Sequence, residues 1–311
     1  MSAGAQQALK QLTGSDIEPG GLLDIEQSGF LNEVQEQAML LDTVRVRPVN
    51  RDKTEITQIG VGERMRQSQS EATSGGGSGS VTTDPIQIDT EKGSVYWGLS
   101  KEMMEDNLER EQLANRILNL MARQFGVDTQ DLAINGDEAG SGFVTQNDGW
   151  LKIASDRGMP TYDHTDGSSN PQDIDETVFN EAIMTIPQKY LRSGDPMFFM
   201  SRQQLQAFKF GQVTRETPLG DAFLQGEAEA NPFGYDIMGV AAWPQDKAMF
   251  TAPQNLIYAP YREMEVDVLR DSDEIHAKDL FAKYAMRVRD DFQIEEENAG
   301  VLITGLTDPT A

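Results

Sequence analysis

Apolar positions along the chain change their spacing several times, and each change marks an element. Over 42–93 they come at every second place. Val44, Val46 and Val49 alternate with Arg45, Arg47 and Asn50; Ile56, Ile59 and Val61 follow a turn at 50–53; and Ile86 and Ile88 resume after a break. That period predicts extended strands on either side of a tip. The tip, 66–83, is Ser, Gln, Gly and Thr with almost nothing to bury, and is expected to be flexible. Val95, Trp97 and Leu99 then alternate with Tyr96 and Gly98 as a half-buried strand.

The period then becomes helical. Over 108–134, Leu113, Ile117, Leu120, Met121, Phe125 and Leu132 recur at steps of three, four and seven, leaving Glu109, Arg110, Arg116 and Arg123 mostly elsewhere. A helix of that length spans roughly 40 Å at about 1.5 Å per residue. Ser100 is placed to cap a short helix over 101–105, and Asp106 with Glu109 offers the long helix a capping-box start. Asn135-Gly136 supplies a stop compatible with left-handed backbone, and Gly126 is a weak point costing about 1 kcal/mol against Ala.

Beyond this rod, 143–174 reads as loop, and 176–191 as a helix with Val178, Ile183, Ile186 and Tyr190 in the core despite Pro187. A buried strand over 197–200 leads to Ser201, which is placed to cap a helix over 202–210. A polar loop over 217–232 precedes short strands at 234–240, 248–251 and 255–259. Val266, Val268 and Leu269 continue the strand pattern; Tyr284, Met286 and Val288 alternate with Arg287 and Arg289; and 299–303 forms a last apolar strand. Ahead of all of these, 3–12 and 26–41 read as helical pieces of a peripheral arm that needs partner contacts to be stable. The mixture predicts an α+β protein.

Composition narrows the function. The 311 residues are enough for one large or two ordinary domains, and no run of 18 apolar residues or signal-like N-terminus suggests a membrane span or secretion, so a cytoplasmic origin is expected. Without cysteine, disulfides, thiolate chemistry and cysteine-ligated metals are excluded. A net charge of −25, from 51 acidic and 26 mostly Arg basic residues, resembles the surfaces of proteins working in molar salt. It also makes the chain a poor general nucleic-acid binder, since phosphate neutralisation needs basic patches and none is visible.

Catalytic constellations are missing from the sequence. His164 and His276 are far apart and sit in no nucleophile-elbow or His-Glu-x-x-His context, so both are expected to be structural or solvated. The cluster Asp163, His164, Asp166 and Gly167 fails the calcium-loop spacing. The 75–80 Gly-Ser tract lacks the Gly-Lys-Ser/Thr end of a phosphate loop. No catalytic, cofactor-binding or metal residue is therefore assigned, and no cofactor is expected.

The order of segments carries a resemblance. The succession VYWGLSKEMMEDN, the helical run closing in Asn135-Gly136-Asp137, the Gly234–Val240 stretch GYDIMGV, the Trp243-Pro244 turn, the segment Ile257-Tyr258-Ala259 and the closing strands resemble major capsid proteins of tailed double-stranded DNA viruses with the Hong Kong 97-type fold. The likeness runs from about 40 to 306. It implies an N-terminal arm (1–41), an extended β-hairpin loop (42–93), a peripheral domain (94–177 and 266–311) containing a spine helix over 108–134, and an axial domain (178–265).

The resemblance further implies a virion protein, not an enzyme, that self-assembles into pentamers and hexamers of an icosahedral shell enclosing double-stranded DNA. Expected partners are other copies together with portal, scaffolding and minor capsid proteins, and no membrane. Assembly is expected in the host cytoplasm, the host being a salt-loving archaeon. Arg45, Arg47, Arg64 and Arg66, in the loop that reaches a neighbour, are the candidate inter-subunit contacts. The alternatives are a cellular nanocompartment shell of the encapsulin type and, less favoured, a soluble acidic enzyme.

Overall fold

The computed structural model describes residues 39–51, 53–61, 81–102, 110–191, 194–213, 231–261 and 265–310. The chain runs α1 (Met39–Thr43), β1 (Arg45–Val46), β2 (Lys53–Val61), β3 (Val81–Asp89), β4 (Glu91–Ser100) and the long α2 (Arg110–Asn135). Next come α3 (Trp150–Asp156), β5 (Thr161–Asp163), α4 (Glu176–Thr185), α5 (Gln188–Leu191), β6 (Met197–Ser201) and α6 (Arg202–Val213). Then follow β7 (Ile237–Val240), β8 (Ala248–Thr251), β9 (Leu256–Tyr258), β10 (Glu265–Leu269), α7 (Asp273–Ala277), β11 (Leu280–Asp290), β12 (Phe292–Ile294) and β13 (Gly300–Thr304). The α+β class is as the periodicity predicts. Two compact units result, one of Met1–Met39, Lys92–Asp128 and Arg262–Arg289, the other of Leu40–Glu91, Thr129–Tyr261 and Asp290–Ala311.

In the first unit, β11 lies between β10 and β4. β10 and β11 are antiparallel, with Glu265 opposite Arg287 and Leu269 opposite Lys283. Alternation brings Trp97, Leu99, Val268, Ala282, Tyr284, Met286 and Val288 together, and α2 packs Ile117, Leu118, Ala122 and Phe125 against them. Trp97 lies flat on Tyr284, with ring centroids 5.3 Å apart. Ile117, Phe125 and Leu132 face inward as the spacing predicts, but Leu120 is 55% exposed, and the small Ala122 and Gly126 are buried in its stead. The Trp97–Tyr284 stack already fills the interface, so the small residues occupy its centre. On the strand, Val95 is 37% exposed, and the covered part of that face begins at Trp97.

The second unit is built on a five-stranded sheet ordered β5-β13-β8-β6-β7. The β13–β5 and β6–β7 pairs are parallel, and β8 is antiparallel to both β13 and β6. Its core joins Phe198, Phe250, Val301 and Ile303 of the sheet to Val178, Phe179 and Ala182 of α4 and Phe208 of α6. Phe179 meets Phe198 edge-on at 4.8 Å. Asp175 caps α4, its Oδ1 accepting from the Thr177 and Val178 amides. Ser201 caps α6 as expected, its Oγ accepting from the Gln204 amide at 3.0 Å.

Three local expectations need correction. The helix expected over 176–191 breaks at Ile186 (φ −74°, ψ 137°), because the residue before Pro187 is driven out of helical backbone. Within 143–174, expected to be loop, Trp150–Asp156 is helical and buries Trp150, Leu151, Ile153 and Ala154, a spacing of one, three and four. Gly136 ends α2 without positive φ. Its requirement is steric instead: a Cβ there would stand 2.2 Å from the Asn147 carbonyl oxygen and 2.8 Å from the Gly149 nitrogen.

The same unit holds a small sheet, β1-β9-β12, and the β2–β3 hairpin. The hairpin is antiparallel from Lys53–Asp89 to Val61–Val81, so 81–83, expected to belong to the tip, are strand. Ile56, Ile86 and Ile88 seat its base on Val49, Ile257 and Ala259. Pro85, opposite Thr57, sits in a two-stranded ladder where one N–H is dispensable. The expected arm up to residue 38, most of the tip, and the caps at Asp106 and Glu109 lie outside the described residues.

Candidate assembly surface

The chain enters the hairpin from β1, which runs parallel to β9 with Arg45 opposite Ile257 and Val46 opposite Tyr258. Parallel pairing continues past the strand, the Arg47 amide donating to the Tyr258 carbonyl at 2.8 Å and that of Val49 to Pro260 at 3.0 Å. Alternation buries Val44 and Val49 but leaves Val46 at 42% exposure, so the period-two reading of 44–49 holds only in part.

The candidate arginines are not equivalent. Arg45 finds its carboxylate within its own chain, Nη1 lying 2.7 Å from Glu295 Oε2. Arg47 is exposed and extends into a cleft that Arg51 shares. Arg64 and Arg66 lie outside the described residues. Nothing in the sequence distinguishes Arg45 from Arg47, because Glu295 is distant along the chain and only the β1–β9–β12 sheet brings it near.

Behind this base lies a feature that the sequence does not announce. Asp290 and Asp291, at the bend between β11 and β12, are buried. Asp291 ties three elements together: Oδ2 accepts from the Asp89 amide at 3.0 Å, Oδ1 from the Phe292 amide at 2.8 Å, and its backbone exchanges hydrogen bonds with Ala259. The return strand of the hairpin is thus bonded to the bend. Burial pushes the Asp290 carboxyl up to about 7, with the Asp291 charge adding to the effect. Burial also raises Asp291 to about 6, against the donors from Asp89, Gln293 and Phe292, which favour its ionised form. Tyr258 is raised as well, by burial first and then by Asp290. Close by, burial, followed by the charges of Asp148, Glu91 and Asp89, raises the Glu138 carboxyl.

The histidines are accounted for structurally. His164 is buried, with Nε2 at 3.0 Å from the Asp173 carbonyl and Nδ1 at 3.3 Å from the Tyr162 hydroxyl, so an Nε2–H tautomer satisfies both ring nitrogens. His276 is exposed beside Asp271. Among the described residues, no group of three or more His, Cys, Asp or Glu is placed to hold a metal ion, and no helix is long and apolar enough to cross a membrane. Apolar side chains that a monomer leaves in water include Met184 on α4 and Phe210 on α6, 74% and 66% exposed.

The chain is similar to known shell proteins over nearly its whole length. It is 26% identical over 278 residues to a putative prophage capsid protein, YqbE, of Bacillus subtilis (strain 168), covering 84% of this chain and 86% of that one. A chain of the satellite phage P4 procapsid including size determination (Sid) protein superposes with a TM-score of 0.70 at 16% identity, over 97% of this chain and 95% of that one. The holo-SrpI encapsulin complex of Synechococcus elongatus PCC 7942 shares the fold at TM-score 0.58 and 11% identity, over 100% and 97% of the chains. The fold is therefore Hong Kong 97-like. The Phage capsid family matches residues 24–304, and the chain belongs to that family.

Proposed function

We propose that this major capsid protein assembles with copies of itself into pentamers and hexamers that close an icosahedral shell around the double-stranded DNA of a tailed virus. The observation that carries the reading is continuity: the likeness extends from the first strands to the last, so it is the whole subunit and not one motif that is shared. In this reading 1–41 is an arm and 42–93 a loop reaching over a neighbour, while 94–177 with 266–311 forms the peripheral domain and 178–265 the axial domain. Arg45, Arg47, Arg64 and Arg66 belong to the contact that the loop makes, Arg45 in addition to its own-chain partner.

DNA is enclosed without sequence-specific contacts, as suits a subunit of charge −25. Portal, scaffolding and minor capsid proteins act as separate chains, and assembly takes place in the host cytoplasm. The excess of 51 acidic over 26 basic residues supports a salt-loving host, of the kind found among archaea. The encapsulin likeness supports one other reading, a cellular shell around protein cargo. Nuclease treatment of intact native particles separates the two. A capsid protects double-stranded DNA of genome length, whereas particles holding only protein would replace the viral reading with the compartment.

A further inference from the structure

Basic side chains around the hairpin base are unequally matched. Arg45 is paired with Glu295 and Lys53 with Asp89. The guanidinium groups of Arg47 and Arg51, among the described residues, make no ion pair or hydrogen bond. Both line one cleft of about 370 Å³ that also includes the buried pair Val49 and Ile56 and, as its acidic member among the described residues, Glu55. The backbone beneath them is fixed, since the Arg47 amide donates to Tyr258 and the Thr54 hydroxyl to the Arg51 carbonyl at 3.4 Å.

We propose that this cleft receives a carboxylate-bearing segment of a second copy of the chain, held by Arg47 and Arg51. The inference rests on the shell reading and identifies one contact within it. Two like charges sharing a cleft repel until an anion enters, and a planar guanidinium matches a carboxylate with two parallel hydrogen bonds. Charge complementarity selects the occupant. In a chain with 51 acidic and 26 basic residues, a neighbouring copy is a dense source of carboxylates. Nucleic acid is the poorer fit, because the described residues that line the cleft, from Arg47 to Ile56, include no aromatic ring on which a base could stack. The volume lies near the lower end of the roughly 300–1,000 Å³ typical of binding pockets, room for a short segment.

The absence of cysteine makes the test direct. Asn50→Cys, at an exposed position lining the cleft, gives a unique thiol for a maleimide-benzophenone label and leaves both arginines in place. Particles assembled from equal parts of heavy- and light-isotope chains are irradiated and digested. Mixed heavy–light cross-links to an Asp- or Glu-rich peptide are expected. Arg47→Glu with Arg51→Glu should leave the melting temperature of the isolated subunit unchanged and reduce particle yield at least tenfold. Cross-links confined to single chains, cross-links to DNA, or unaltered particle yield in the double variant would overturn the proposal while the shell reading stands. Failure of the unmodified chain to form particles would remove the shell reading, and this contact with it.

Discussion

Asp290 and Asp291 are adjacent, buried and held above the ordinary carboxylate range, to about 7 and about 6. The folded chain therefore binds more protons than the unfolded chain from about pH 4 to 7. The stabilisation from this pair is complete below about pH 4 and is lost as pH rises through about 7. Holding a carboxyl one pH unit above its ordinary value is worth about 1.4 kcal/mol, and Asn mimics the protonated acid, so Asp290→Asn should stabilise the subunit by about 1–3 kcal/mol at pH 8 and change little at pH 4. Denaturant unfolding at the two pH values checks this, and an equal change at both would place Asp290 in water. The sequence shows an acidic bend here but not its burial, because acidic residues are rarely buried and only the packing of β3, β9 and β12 encloses this pair. The histidines were easier to read, since no catalytic context surrounds either, and His164 proves structural. Gly136 yields a second residue-level test. Gly136→Ala forces a methyl against the Asn147 carbonyl and should cost about 1–3 kcal/mol or more, whereas the exposed Gly167, with open space around it, should accept Ala almost neutrally. Thermal unfolding of the two variants decides between crowding and a backbone requirement.

At the scale of elements, long periodic segments were legible and short or interrupted ones were not. α2, β6, β8, β11 and β13 lie where their spacing puts them. α3 was hidden in a polar, glycine-rich surround, although its buried Trp150, Leu151, Ile153 and Ala154 carry helical spacing. The phase of α2 depends on its partner sheet, since Leu, Met and Ala all suit a helix and the Trp97–Tyr284 stack selects the small face. Leu120→Asp is accordingly expected to change the stability of the isolated subunit by less than about 0.5 kcal/mol, while Ala122→Asp buries an unpaired carboxylate and should destabilise it by several kcal/mol. Ile117, half-buried on the same side, should lose about 1–2 kcal/mol on truncation to Ala, below the full-burial range. If Leu120→Asp proved as damaging as Ala122→Asp in denaturant unfolding, the phasing of the helix would be wrong.

For the whole molecule, the balance of 51 acidic and 26 basic residues sets the conditions of assembly. Every copy added to a shell brings like charge. At about 0.15 M salt the screening length is about 8 Å, comparable with distances across an interface, and at about 1 M it is about 3 Å. Arginine–carboxylate contacts oppose the repulsion only locally. Shells should therefore hold in molar salt and loosen as it is dialysed away, which light scattering across a salt series follows; equal stability at both extremes would dispose of the salt adaptation while leaving the capsid fold intact. The central claim is self-assembly, and electron cryo-microscopy of the purified chain concentrated in molar KCl tests it most directly. The account predicts closed shells with five-fold vertices and six-fold clusters between them. A chain that stays monomeric, or forms only small open oligomers, at every protein and salt concentration tried would contradict it.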